Sequence, residues 1–260
     1  VHEPLEADPE SVAMFSSLPV GERHRDVLKA AMIYDLDRSI GLLWEKIRRL
    51  GIEENTYLIV MSDNGGFGRP PGVSCYPLAG GKGSLYEGGI RVPLVVVGPG
   101  VKAGSVCREP VVGYDLFPTI AELAGVKRLP EKVDGVSIVP LLRGEAKSWD
   151  CDRPLVFHYP HYGRGVRQTP CSAIRVGDYK LLRDYETGTD RLFCLKDDIG
   201  ETRDLSTAMP AKAAELARLL DRYLTSVDAG IPSPNPDYRE SSPAEPTRPR
   251  SRRRAGTSRS

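Results

Sequence analysis

Residues 56–66 read TYLIVMSDNGG. The run Thr56-Tyr57-Leu58-Ile59-Val60-Met61 is almost continuously β-branched and apolar, the pattern of a parallel strand buried on both faces. It breaks off at Asp63 and Asn64, where Gly65 and Gly66 free the backbone to turn sharply. Two readings fit that break. Asp, Asn and Gly are the ordinary residues of a strand-to-loop turn. An Asp beside an Asn also offers hard oxygen ligands of the kind Ca²⁺ or Mg²⁺ takes.

Working outward, Leu28, Met32, Leu36, Ile40, Leu43, Ile47 and Leu50 recur every three or four positions, which predicts an amphipathic helix over 24–50 closed by Gly51. Downstream, Val92 to Val97 in RVPLVVVGPG repeats the apolar strand pattern. In YDLFPTIAELAG, Asp115 is placed to cap a helix that carries Pro118 in its first turn and ends at Gly125. Helix, strand, loop, strand, helix predicts an α/β sheet with helices on its faces. In such sheets ligands sit where strands end in loops, which is where SDNGG falls.

After about residue 145 the texture changes. PLVFHYP, SAIRVGDYKLLRDY and DRLFCLKDD are short strand-like runs between turn residues, and AKAAELARLLDRYLTSV is a strong helix pattern. The expected organisation is a main unit over 1–145, a smaller antiparallel sheet with one helix over 146–227, and a Pro-, Ser- and Arg-rich tail over 228–260. The tail ends in TRPRSRRRAGTSRS, too poor in apolar residues to offset its ordering entropy, and is expected to be disordered.

With 260 residues and 40% hydrophobic content the chain can build a sizeable core. A net charge of +1 gives no whole-chain reason to expect a nucleic-acid partner. No stretch approaches the roughly 18 apolar residues of a membrane span. Cys75, Cys107, Cys151, Cys171 and Cys194 show neither CxxC nor Cys/His spacing, which argues against a structural zinc site or a dense disulfide framework and leaves room for one or two disulfides.

Lys82 is flanked by Gly80, Gly81 and Gly83 in LAGGKGSLYEGGIRVPLVVVGPG. That arrangement lets backbone approach a ligand closely while one cation faces it, which suits an anionic oxyester; a solvated surface lysine is the plainer reading. The spacing is not that of a P-loop. Glu87 and Arg91 are placed to pair across the following turn, a structural role. His158 and His161 in FHYPHYG, beside Tyr159 and Tyr162, could line a sugar-binding rim or pack between subdomains.

SDNGG, the glycine-flanked lysine of GGKGSLYEGGIRVPLVVVGPG, then YDLFPTIAELAG and DGVSIVPLLRG, in that order, resemble the second half of the formylglycine-dependent sulfatases of the alkaline-phosphatase-like superfamily. The resemblance runs from about residue 1, where VHEPLEA is similar to a histidine-bearing HxP segment, to about residue 225. It implies an α/β alkaline-phosphatase-like sandwich, here the second half of its main mixed or parallel sheet with flanking helices, plus a small C-terminal antiparallel-sheet-and-helix subdomain. It also implies roles: Asp63 and Asn64 as ligands of a divalent cation, usually Ca²⁺; Lys82 as the group holding the sulfate; His2 against the leaving-group oxygen. His158 and His161 remain candidate substrate contacts. The substrate class implied is a sulfated small molecule or glycan, and a periplasmic or secreted location goes with it.

The departure from the family pattern is specific. The formylglycine nucleophile is made in a C/S-x-P-x-R segment, and none is present: Cys75 is followed by Pro77 but Ala79, and Cys151 by Pro154 one place too late. The aspartate pair that completes the family's metal site is missing too. The expectation is a chain that begins midway through a sulfatase domain and is inactive alone. The competing readings are a phosphodiesterase or phosphonate hydrolase of the same superfamily, and a non-catalytic remnant.

Overall fold

The computed structural model describes residues 1–237 apart from Glu3, His24 and residues 67–74, 147–148 and 164–168. The arginine-rich end of the expected tail therefore lies outside the described residues.

Helix α1 (Pro9–Ser16) is too short to show a period, and its start is local chemistry: the Asp8 carboxylate accepts the Glu10 N–H at 2.8 Å and Pro9 supplies a preset φ. It is tied to α2 (Val27–Arg49) by Asp35, which accepts from the Asp8 N–H at 2.8 Å and the Ser11 hydroxyl at 2.6 Å. Those two bonds, Ser11 first, hold the Asp35 carboxyl below its usual range. Asp26 caps α2 through the Lys29 N–H, and Gly51 at φ 66° ends it as the sequence predicts. Much of the α2 stripe stays uncovered: Leu36, Leu43 and Leu50 are each about half exposed.

Strands β1 (Leu58–Met61) and β2 (Leu94–Val97) pair antiparallel, Leu58 opposite Val97 and Met61 opposite Leu94. This corrects the expectation of parallel strands. A parallel pair needs a crossover that returns the chain to the starting end. Here the Ser62 N–H donates to the Pro93 carbonyl at 3.3 Å, so both ends of the connection lie where β1 stops and β2 must run back. Burial on both faces is likewise not reached, with Met61 and Val95 at 41% and 55% exposure. The apolar composition suits doubly buried strands, and among the described residues this sheet has only two of them.

Asp115 departs from its expected role as well. Its carboxylate does not cap α4 (Leu116–Leu123); it turns back to accept the Val112 N–H at 2.9 Å and reaches the Val136 N–H at 3.0 Å. Both terminal guanidinium nitrogens of Arg153, Nη1 and Nη2, complete a buried fork on the same carboxylate. The helix runs on from a 3₁₀ turn at Gly113–Asp115, and it is this turn that the Asp115 carboxylate caps. The short helix α5 (Val139–Leu142) follows, with the Thr119 hydroxyl accepting the Ile138 N–H.

The second unit matches its alternation. Strands β3 (Leu155–Tyr159), β4 (Cys171–Val176), β5 (Tyr179–Asp184) and β6 (Thr189–Cys194) form an antiparallel meander. On one face, Ile174, Leu181 and Leu192 pack against Leu216, Leu220 and Leu224 of α6 (Pro210–Ser226). On the other, Cys171, Ala173, Leu182, Phe193 and Leu195 receive Leu85 from the first unit, with Tyr86, Ile90, Phe157 and Tyr159 around it. Contacts continue past the expected boundary at residue 228: Ala229 packs on the α6 cluster and the Gly230 carbonyl bonds His158. None of the five cysteines is joined in a disulfide. No helix among the described residues is long and apolar enough to cross a membrane.

Candidate functional site

Where β1 ends, the chain is joined backbone to backbone with the lysine loop. The Gly65 N–H donates to Gly89 O at 3.0 Å, the Lys82 N–H to Gly66 O at 2.9 Å and the Gly88 N–H to Ala79 O at 2.7 Å. Glycine makes this approach possible. A β-carbon on Gly65 would overlap the Gly88 carbonyl oxygen, and one on Gly89 the Ser84 carbonyl oxygen. Gly88 and Gly89 lie in the short helix α3 (Glu87–Ile90), which Arg91 and Glu87 brace at 3.6 Å as the sequence predicts. Gly81, next to Lys82, is likewise tight against the Gly66 carbonyl oxygen, so it serves contact between the two loops as much as ligand approach.

The result brings three predicted residues, Asp63, Asn64 and Lys82, onto one pair of joined loops. Asp63 is exposed and Asn64 partly buried. The Asn64 amide nitrogen donates to Gly65 O at 2.9 Å, which leaves its carbonyl oxygen free to ligate. Lys82 is partly buried, and among the described residues no carboxylate pairs with its ammonium group. Tyr86, beneath the loop, has its phenol pushed up by burial, with Arg191 opposing.

The donor chemistry of Asp63 and Asn64 fits a hard divalent cation, though only as part of a site. Among the described residues no group of three or more His, Cys, Asp or Glu could hold a metal. Asp63→Ala in a protein with the complete site is expected to weaken Ca²⁺ binding at least about tenfold, roughly 1.4 kcal/mol. Titration calorimetry checks this, and an unchanged affinity rejects the assignment.

The histidines separate. His2 is exposed ahead of α1. His158 sits on the α6 face of the sheet, one residue out of register with Phe157 and Tyr159, which face the lysine loop. Both its ring nitrogens are engaged: Nδ1 with the Ser172 hydroxyl at 2.6 Å, Nε2 with the Gly230 carbonyl at 3.1 Å. A carbonyl only accepts, so Nε2 carries the proton. Both ring nitrogens of His158 are thus engaged within the fold, on the face away from the lysine loop. His161 is exposed, its ring edge-on to Tyr159 with centroids 5.6 Å apart, on the lysine-loop side.

With this geometry in place, the comparisons with known proteins are decisive. The sulfatase family model matches residues 2–126, and the model of the N-sulphoglucosamine sulphohydrolase C-terminal region matches residues 81–229.

The chain belongs to the sulfatase family.

The two matches overlap over residues 81–126, from the lysine loop through α4. A sulfatase of Formosa agariphila is 38% identical over 208 residues, covering 73% of this chain and 37% of that protein. Among solved structures, Ps i-CgsB in complex with k-i-k-neocarrahexaose has a TM-score of 0.73 at 32% identity, covering 85% of this chain and 47% of that one. BT4656 in complex with its substrate D-glucosamine-2-N,6-O-disulfate has a TM-score of 0.66 at 27% identity, covering 78% of this chain and 40% of that one. The fold is thus the alkaline-phosphatase-like α/β fold of the sulfatases. The chain spans under half the length of each of these relatives.

Proposed function

We propose that this chain forms the sulfate-holding part of a sulfuric ester hydrolase acting on a carbohydrate sulfate. The observation that carries the reading is the backbone joint that fixes Lys82 to the SDNGG loop. A sulfate monoester disperses negative charge over its oxygens as the ester bond breaks, and a preorganised ammonium group stabilises that charge without having to reorganise. Asp63 and Asn64 would hold a divalent cation, which when bound acts as a Lewis acid on the same oxygens. His2 is assigned the leaving-group oxygen, where an imidazolium can donate a proton. The relatives solved with k-i-k-neocarrahexaose and with D-glucosamine-2-N,6-O-disulfate support a sugar sulfate as substrate. His161 beside Tyr159 is assigned the sugar side of the site.

The nucleophile does not come from these residues. No cysteine or serine in the chain lies in a C/S-x-P-x-R segment, so no formylglycine step is assigned to it. The test uses a sulfatase polypeptide that joins this chain to such a segment. There Lys82→Ala is expected to lower kcat/KM on an aryl sulfate by roughly a hundredfold, the scale of one lost preorganised contact. Lys82→Arg should recover only part, because a planar guanidinium does not reproduce a compact ammonium. Near-normal turnover by Lys82→Ala rejects the role, and faster turnover of a phosphonate monoester than of any sulfate ester favours the superfamily's other chemistry.

A further inference from the structure

The sheet face that receives the lysine loop carries one charged side chain with no exposure at all, Lys180, in line with Leu182 on β5. Its ammonium nitrogen lies 3.0 Å from Glu87 Oε1 and 2.8 Å from Glu201 Oε1, the second an ion contact more than a directed hydrogen bond. Glu201 Oε2 in turn accepts the Glu87 backbone N–H at 2.6 Å. Arg91 and Arg175 stand 3.6 and 3.9 Å from Glu87 Oε2 at the rim. Burial pushes the Glu201 carboxyl up and Lys180 pulls against it. Glu201 holds this place at φ 51°, a conformation that costs a residue with a side chain roughly 1 kcal/mol.

A buried ion network is weak support for stability, since apolar residues of similar volume serve as well. What this one supplies is location. Glu87 opens α3, and α3 hands the constraint on: its Gly88 N–H holds Ala79 O and its Gly89 O takes the Gly65 N–H, the joint that carries both Lys82 and the Asp63–Asn64 pair. We propose that Lys180 and Glu201, contributed by the C-terminal subdomain, are positioning residues that clamp α3 and thereby set the backbone of the sulfate-holding loops. The subdomain is then a working part of the site that need not touch substrate.

The functional meaning rests on the reading of Lys82 as the sulfate-holding group, whereas the clamp itself can be read without turnover. The experiment is amide hydrogen exchange by NMR on this chain and its variants. Glu201→Gly removes the carboxylate while glycine adopts φ 51° freely, so the turn survives; Lys180→Met is the second variant. Amides of Gly65, Lys82 and Gly88 are expected to exchange at least about tenfold faster, with those of Leu216, Leu220 and Leu224 in α6 unchanged. Glu201→Gln, which keeps an oxygen for the Glu87 N–H, should restore most of the protection. Equal acceleration in α6 would mean general destabilisation and overturn the proposal, as would unchanged loop amides in both Glu201→Gly and Lys180→Met. Normal turnover by Lys82→Ala in the joined polypeptide would remove the sulfate reading while leaving the exchange result intact, so the two failures are distinguishable.

Discussion

Asp115→Ala is expected to cost about 3–5 kcal/mol of folding stability, the range for stranding one member of a buried ion pair. The carboxylate has no exposure and accepts from the Val112 and Val136 N–H groups and from both terminal guanidinium nitrogens of Arg153. Truncation leaves two backbone donors and a largely buried guanidinium without their acceptor, and burying unpaired donors is what makes such losses large. The carboxylate also ties the segment before α4 to the one before α5 and to the loop before β3, so the damage spreads over three places in the chain. Denaturant titration followed by fluorescence reads it directly, because Trp149 stacks 5.1 Å from the Arg153 guanidinium. The double variant Asp115→Asn/Arg153→Met should be less damaging than Asp115→Ala, since the stranded charge goes with its partner. A loss under about 1 kcal/mol for Asp115→Ala would show that water compensates the site, and the account given of Asp115 would fail.

Gly65→Ala is expected to open the candidate site, at a cost of roughly 3 kcal/mol to the region. The added methyl meets the Gly88 carbonyl, which is backbone and cannot move aside by changing rotamer. Relief requires parting the SDNGG loop from α3, which breaks the Gly65 N–H to Gly89 O bond and loosens the hold on Lys82. Amide exchange at Lys82 and Gly88 should rise with it. Gly41→Ala is the control: Gly41 lies within α2 with open space around its α-carbon, so the same methyl should stabilise by roughly 0.5–1 kcal/mol. Equal behaviour of the two variants would sink the close-packing argument.

The legible part of this fold follows from periods and punctuation. The α2 stripe, the stop at SDNGG, the helix ended by Gly125 and the alternating strands of the second unit are all local patterns, and each is found where it was expected. In the candidate site, Asp63 and Asn64 stand out as polar residues where a strand meets glycines, and Lys82 as a cation flanked by glycines, whereas the roles assigned to them come from the family resemblance. Helix α1 was missed because eight residues carry little periodicity, although Asp8 followed by Pro9 is a start signal that could have revealed it. Lys180 was missed although a lysine in step with Leu182, on the inward face of an alternating strand, asks for a buried partner.

The sequence by itself determined where the longer helices and the strands lie, the apolar stripe of the helices and the alternation of the second unit, and to which family the ordered motifs point. Tertiary structure alone decided that β1 and β2 run antiparallel, that His158 faces α6 while Tyr159 faces the lysine loop, and that Lys180 meets Glu87 across 93 positions of chain. The reason is physical. Turn chemistry and periodicity act over a few residues, whereas strand direction, the partner of a face and the mate of a buried charge are settled when distant segments exclude water together, and no local pattern records which segments those are.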